Sequence, residues 1–339
     1  MSNEKISLEH GAGGKAMMNL IKDIFLEEIE KGKELGEVGL SDLDDGAALK
    51  IGNENIIFTT DSHTIQPIFF PGGDIGRLAV AGTVNDMAVM GGKPLAMSAA
   101  VVMSEGFPTE SLGKVVRSMN GTADEAGVSL VTGDTKVMDK GSLDDIIVTT
   151  TGIGIAKKPI SDHGLNPGDK IVVTGNIGNH ETSIISEREG IDVESPIESD
   201  VAPIWKTIEA GLEVGGITAM KDPTRGGVSG VLNEIADKSN VGIVLFEDKF
   251  PVSKSVNGIC EMLGIDPLNL TNEGIAIIGV EADKGNDVLE AIRNTKYGKN
   301  AEIIGEAVEE DNGKVMLKTA IGGRRLVRAN VGAPTPRIC

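Results

Sequence analysis

A chain of 339 residues has room for two domains, each with its own core. Its formal charge of −19, with only 3% aromatic residues, argues against nucleic acid and anionic membrane as partners, since these demand basic surface and, for single strands, stacking rings. Two cysteines and four histidines, with no C-x-x-C pair, leave no basis for a structural zinc site or a disulfide framework. No apolar run reaches the roughly eighteen residues of a membrane helix, and residues 1–10 lack the apolar core of a secretion signal; a soluble cytoplasmic protein is expected.

The first informative stretch is His10-Gly11-Ala12-Gly13-Gly14-Lys15, followed by Met18, Ile21, Phe25 and Ile29 at the spacing of one helix face. A glycine-rich loop running into a helix N-terminus offers free amides and a positive dipole end to phosphate, although such glycines also serve as a plain turn. Four acidic clusters come next. Asp44-Asp45-Gly46-Ala47 is a turn, residues 56–60 form a strand that delivers Asp61 with Ser62 and His63, and Asn85-Asp86 falls inside an apolar helix over 75–90. The fourth follows a buried strand over 128–131 and reads Thr132-Gly133-Asp134-Thr135-Lys136. Carboxylates at strand ends with glycine beside them suit Mg²⁺ held by a few carboxylates plus substrate phosphates, and each one singly would also serve as a turn cap.

Between these clusters, a strand over 95–103, a helix over 112–126 and a threonine-bearing strand over 146–156 give an α+β alternation. Pro159, Gly164, Pro167 and Gly168 break it, placing a boundary within 157–169. The expected domains are 1–157 and 158–330, with a tail over 331–339.

In the second half the pattern predicts helices over 181–189, 201–214 and 228–238, and strands over 171–174, 242–246, 275–280, 303–307 and 315–319. Asp222-Pro223-Thr224-Arg225-Gly226-Gly227 sets a fork-shaped cation before a helix, or is an ordinary N-cap turn. Thr271-Asn272-Glu273-Gly274 puts one carboxylate directly before an apolar strand, where partial burial raises its pKa toward that of a general base. Cys260, beside Ile259, Met262 and Leu263 on a helix, is a small buried hydrophobe. Pro334-Thr335-Pro336-Arg337-Ile338-Cys339 carries no helix or strand period, and nine extended residues span roughly 30 Å. Arg324, Arg325, Arg328 and Arg337 contrast with the acidic body and form either a solvated strand or a docking face for an acidic partner.

The stretches LEHGAGG (8–14), DDGA (44–47), FFPGGDIGRLAVAGTVNDMAVMG (69–91), VTGDTKV (131–137), KDPTRGG (221–227), NEG (272–274) and PRIC (336–339) together resemble one family across essentially the whole chain. It is the HypE family of hydrogenase maturation proteins, carbamoyl dehydratases within the aminoimidazole ribonucleotide synthetase superfamily. PRIC discriminates most, because thiamine-monophosphate kinase and selenophosphate synthetase share the acidic motifs without it.

The resemblance implies a two-domain PurM-like α+β fold, with mixed β-sheets and flanking helices, a β-barrel at a homodimer interface and a flexible C-terminal tail. It also implies ATP and Mg²⁺ as cofactors, the carbamoyltransferase HypF as the donor of a carboxamide to Cys339, and HypC-HypD as the iron-cyanide scaffold downstream. ATP-dependent dehydration of that carboxamide to a thiocyanate would supply cyanide for the iron of [NiFe] hydrogenase. On this reading Asp44, Asp45, Asp61, Asp86 and Asp134 contact Mg²⁺ and phosphate. His10, Gly11, Gly13, Gly14, His63, Asn85 and Gly133 belong to the nucleotide site. Glu273 is the base, and Lys136 and Arg225 stabilise the phosphate or the activated amide. The competing readings are a small-molecule kinase or synthetase of the same superfamily, with Cys339 idle, and a sulfur-tethered carrier that binds ATP only for conformational control.

Overall fold

The computed structural model describes residues 5–11, 14–29, 36–191 and 196–329. Gly13, Arg337 and Cys339 thus lie outside the described residues.

Two mixed sheets organise the chain. The first is built from β1 (Gly36–Val38), β2 (Ala47–Ile51), β3 (Glu54–His63), β6 (Gly92–Ser104), β7 (Ser129–Met138) and β8 (Ile146–Ala156), in the order β1-β2-β3-β8-β6-β7. A small hairpin of β4 (Phe69–Phe70) and β5 (Gly73–Asp74) stands apart. All pairs of the first sheet are antiparallel except β6 and β7, whose parallel pairing requires a crossover, supplied by α3 (Thr109–Ala126).

Between β5 and β6 lies α2 (Ile75–Val89), apolar on every side, as a helix must be when packed all round. Asp74 caps it, accepting the Gly76 and Arg77 N–H groups at 2.7 and 3.1 Å. It lies against β3, β6 and β8 on one side, α3 on another, and α5 (Trp205–Val214) of the second half. The N-terminal helix α1 (Gly14–Leu20) continues through a wider, π-type turn over Ile21–Leu26, and Phe25 and Ile29 of the expected apolar face are exposed.

The second sheet comprises β9 (Lys170–Val173), β10 (Ile217–Lys221), β11 (Gly242–Phe246), β12 (Ile277–Val280), β13 (Glu302–Val308), β14 (Val315–Lys318) and β15 (Arg324–Val327), in the order β10-β12-β9-β13-β11-β14-β15. Around it run α4 (Asn179–Glu189), α6 (Gly227–Ser239), α7 (Lys254–Leu263) and α8 (Gly285–Arg293). Its strands alternate between two cores. Val172, Ile278 and Val280 join α2, α5 and α8, whereas Ile171, Val173 and Ile277 join α6. One apolar core is therefore continuous across both halves of the molecule, and it fixes the seam between them.

Two expectations are corrected. The helix expected over 201–214 starts only at Trp205, because the Asn85 side chain takes the Ala202 carbonyl and the Ile204 N–H at 3.0 and 2.9 Å, keeping 201–204 out of the helix. The strand expected to be buried over 128–131 is an edge strand, β7, which runs through the Gly133-Asp134 motif; Val131 is 65% exposed. Strand β10, which carries Lys221, was not foreseen.

Candidate active site

The carboxylates from the first half converge with a loop of the second half at the seam. β3 carries Asp61 and His63 on the face toward α2, and the His63 Nε2 lies 3.2 Å from Asp61 Oδ2. Gly82 of α2 makes room for this, since a Cβ there would lie 2.7 Å from His63 Nε2. From α2 itself comes Asp86, whose Oδ2 accepts the Thr59 hydroxyl at 2.8 Å. Strand β10 ends in Lys221, Asp222 comes next, and Arg225 follows with its guanidinium 3.6 Å from Asp61 Oδ1. Lys221 Nζ is buried between Asp45 at 3.0 Å, Asp162 at 3.2 Å and Glu234 at 3.8 Å.

Crowding of like charges sets the electrostatics. Burial, then the charges of Asp222, Asp61 and Asp45, hold the Asp86 carboxyl well above the usual range. Asp222 is raised well above it too, by burial and by Asp45 and Asp61 against the opposing pull of Lys221 and Arg225. Asp61 goes the other way. Burial pushes it up, but the hydrogen bond and charge of His63, together with Arg225, bring it down to about 2. Burial lowers the Lys221 pKa, yet the four carboxylates around it lift it well above the ordinary value, so this ammonium stays charged. Asp45 Oδ2 and Asp222 Oδ2 are buried with no hydrogen-bond partner among the described residues. Unpaired hard anionic oxygens beside several more carboxylates are donors suited to Mg²⁺, which takes one or two carboxylates and fills its shell with water and phosphate oxygen.

In front of them is a cavity of about 180 Å³, lined by Asp45, Asp222, Arg225 and Glu234 and covered by Met17 and Met18 of α1. The N-terminal segment thus closes over the carboxylates through its methionines. His10 instead accepts from Ser7 N–H at 3.1 Å, and Gly11 is exposed.

Glu273 is 6% exposed, and burial, then Asp222, Asp61 and Asp200, push its carboxyl well above the usual range against the pull of Arg225. Its loop is clamped from several elements. Asp200 accepts the Glu273 and Gly274 N–H groups at 3.2 and 3.3 Å, Glu181 of α4 accepts Thr271 N–H at 2.7 Å, and Asn272 accepts Gly178 N–H at 2.7 Å. Asn85 donates to the Glu273 carbonyl at 3.0 Å. With both amide hydrogens and the carbonyl oxygen engaged, Asn85 is a strut beneath the site and has no donor left to offer a nucleotide.

The clamp leaves no space at Gly274, where a Cβ would sit 1.8 Å from the Asp200 carbonyl oxygen. Gly274→Ala is therefore expected to destabilise the fold by about 1–3 kcal/mol, as overpacking does, and to lower the midpoint of chemical denaturation. An unchanged midpoint would show that the 200–202 segment yields freely.

Not every expected residue arrives. Gly133, Asp134 and Lys136 lie on β7, three strand spacings from Asp61 through Thr150 and Ala99, or about 14 Å. Asp134 and Lys136 also occupy the opposite sheet face, in line with Ala100 and Val102 rather than with the Asp61 partners. Within one chain they stand outside the cluster. Asp44 turns toward the linker, its Oδ2 accepting Asp162 N–H at 3.1 Å, and burial, then Asp45 and Asp162, raise it to about 6. Lys221, Asp222, Glu234 and Asp200 were missed as individual site residues. Asp222 bears the signature used for Asp61, a carboxylate ending a β-like run, whereas Glu234 and Asp200 are placed only by packing.

Two family models match, "AIR synthase related protein, N-terminal domain" over residues 43–156 and its C-terminal counterpart over 166–318. The carbamoyl dehydratase HypE of Azotobacter vinelandii is 41% identical over 100% of this chain and 98% of its own. A crystal structure of the hydrogenase maturation protein HypE in complex with ATP superposes with a TM-score of 0.82, at 39% identity over 99% of this chain and 100% of that one. A chain of a HypE-HypF complex superposes with a TM-score of 0.85, at 43% identity over 92% and 99%.

Proposed function

Because the chain belongs to the HypE family of carbamoyl dehydratases, within the AIR synthase related proteins, we propose that it dehydrates a carboxamide carried on Cys339 to a thiocyanate at the expense of ATP, in the maturation of [NiFe] hydrogenase. Support comes from the solved relative that holds ATP and from the relative in complex with HypF, the carbamoyltransferase this chain would meet. HypC-HypD would take the cyanide onward.

The observation that carries the reading is the meeting of Asp61, Asp86, Asp222, Arg225 and the buried Glu273 at one place. Mg-ATP, when bound, supplies the phosphoryl group that makes the amide oxygen a leaving group. Asp45, Asp61, Asp86 and Asp222 would hold the metal directly or through its waters, and Arg225 would neutralise charge on the phosphorylated amide. Glu273, kept out of water and held by Asp200 and Asn85, would take the amide proton in its ionised form. Lys221 keeps the neighbouring carboxylates from repelling one another when no metal is present.

The tail has the length to reach. Its root is tied to α6, where Asn233 donates to the Val327 carbonyl at 3.3 Å, and six residues of α6 separate that point from the Arg225 turn, about 9 Å. Residues 328–339 span roughly 40 Å when extended. Asp134 and Lys136 enter the reading through a second copy. The face of the first sheet turned away from α2 exposes Phe58, Leu95, Ile153 and Val131, an apolar surface suited to closing a barrel with the same face of another chain. No helix among the described residues is long and apolar enough to cross a membrane, and we place the reaction in the cytoplasm.

Asp45→Asn and Asp222→Asn are expected to weaken Mg-ATP binding tenfold or more while circular dichroism stays native, because each removes a hard anionic ligand. Calorimetric titration checks this, and native-like affinity in both would remove these residues from the metal set.

A further inference from the structure

We propose that Asp44, Asp162 and His163 form a second cation site, for a divalent transition metal of the zinc class, separate from the Mg-nucleotide site. The three residues offer one ligating atom each within 4.8 Å of one another. Two come from the linker between β8 and β9 and the third from the loop before β2.

Asp162 supplies the independent observation. Its side chain is 0% exposed, and its two oxygens are used unequally. Oδ2 is saturated by Lys221 at 3.2 Å and Lys238 at 2.6 Å. Oδ1 is buried without a hydrogen-bond partner among the described residues and lies 3.8 Å from His163 Nδ1. A buried carboxylate oxygen left bare is costly unless something occupies it. An ion about 2.1 Å from each donor needs them about 3.4 Å apart, so small side-chain rotations close the set.

The surroundings are those of a ligand set. His163 Nε2, the ring nitrogen away from Asp162, is 3.5 Å from the Ser161 hydroxyl, an outer partner that would fix the tautomer presenting a bare Nδ1 to the metal. Asp44 keeps a lone pair free on Oδ2 beyond the one that accepts Asp162 N–H. One imidazole with two carboxylates and an open position favours zinc, iron, cobalt or nickel over Mg²⁺, which prefers all-oxygen octahedra. The two lysines on Asp162 Oδ2 offset part of the negative charge and make the site one of moderate affinity. Since Asp44 adjoins Asp45, an ion here would pin the linker to the loop that faces the nucleotide cavity.

Co²⁺ is the probe, titrated into the full-length protein without ATP and with several millimolar Mg²⁺ to fill all-oxygen sites. The proposal expects a visible d–d band of the intensity given by nitrogen-containing, low-coordinate Co²⁺, saturating at one equivalent and displaced by Zn²⁺. In His163→Gln, a half-exposed position where folding is not at stake, the apparent affinity should fall tenfold or more. Asp222→Asn should leave the titration unchanged. An unaltered titration in His163→Gln, loss of the band in Asp222→Asn, or no binding by the wild type at micromolar concentrations would each overturn it. Because ATP is absent, the outcome does not depend on the dehydratase reading.

Discussion

Cys339→Ala is expected to take up no carboxamide and to release no product, whereas Cys260→Ala behaves as wild type. Both are read on intact protein after carbamoylation by the cognate transferase, followed by Mg-ATP and mass analysis of the C-terminal peptide. The wild type should gain one carboxamide on that peptide and then lose one water as ATP turns over. The contrast between the two thiols is physical. Cys260 is packed on α7 with Ile259 and Val256, and burial, then the charges of Asp266 and Glu181, push its thiol up to about 11, leaving almost no thiolate near neutrality. Modification at Cys260 would sink the assignment, as would a carboxamide that persists although Mg-ATP is bound. The second result would favour a carrier; turnover of a free substrate by a chain lacking residues 331–339 would favour a kinase or synthetase.

Glu273→Gln should bind Mg-ATP nearly normally, accept the carboxamide and then stall, with dehydration slowed about 10²- to 10⁴-fold, the usual contribution of a positioned general base. The near-isosteric amide keeps the loop clamp, because Asp200 and Asn85 grip the Glu273 backbone and not its side chain. A pH profile separates chemistry from structure. Burial and neighbouring carboxylates hold Glu273 well above the ordinary range, so its base form appears only as pH rises through that elevated value. Wild-type dehydration should therefore climb with pH, and the residual rate of Glu273→Gln should lose that limb. Dehydration at the wild-type rate in Glu273→Gln would place the base elsewhere.

The sequence by itself determined most of the elements and, through its motifs, much of the chemistry. Strong periodicity and dense apolar runs located α2, α3 and β8 within a few residues, because packing there agrees with local pattern. Asp45 in a turn beside glycine, Asp61 at the end of a β-like run and Asp86 inside an apolar helix stood out as candidates that the fold brings to one seam, and a lone acid before an apolar strand marked Glu273, which the fold buries. The family motifs supplied the reaction.

Only the tertiary structure decided how these groups combine. Whether a strand is central or at an edge depends on sheet order, which is non-local, so β7 looked buried and is exposed, and Asp134 and Lys136 fall on the far face. Asn85 carried the signature of a site residue, yet two carbonyls and one N–H of the other half claim its amide. Asp162 sat in a stretch that read as a boundary. It becomes a buried anion because Lys221 and Lys238, 59 and 76 residues away, converge on one of its oxygens. Partnerships across such separations follow from packing of the two halves against α2, and no local pattern encodes them.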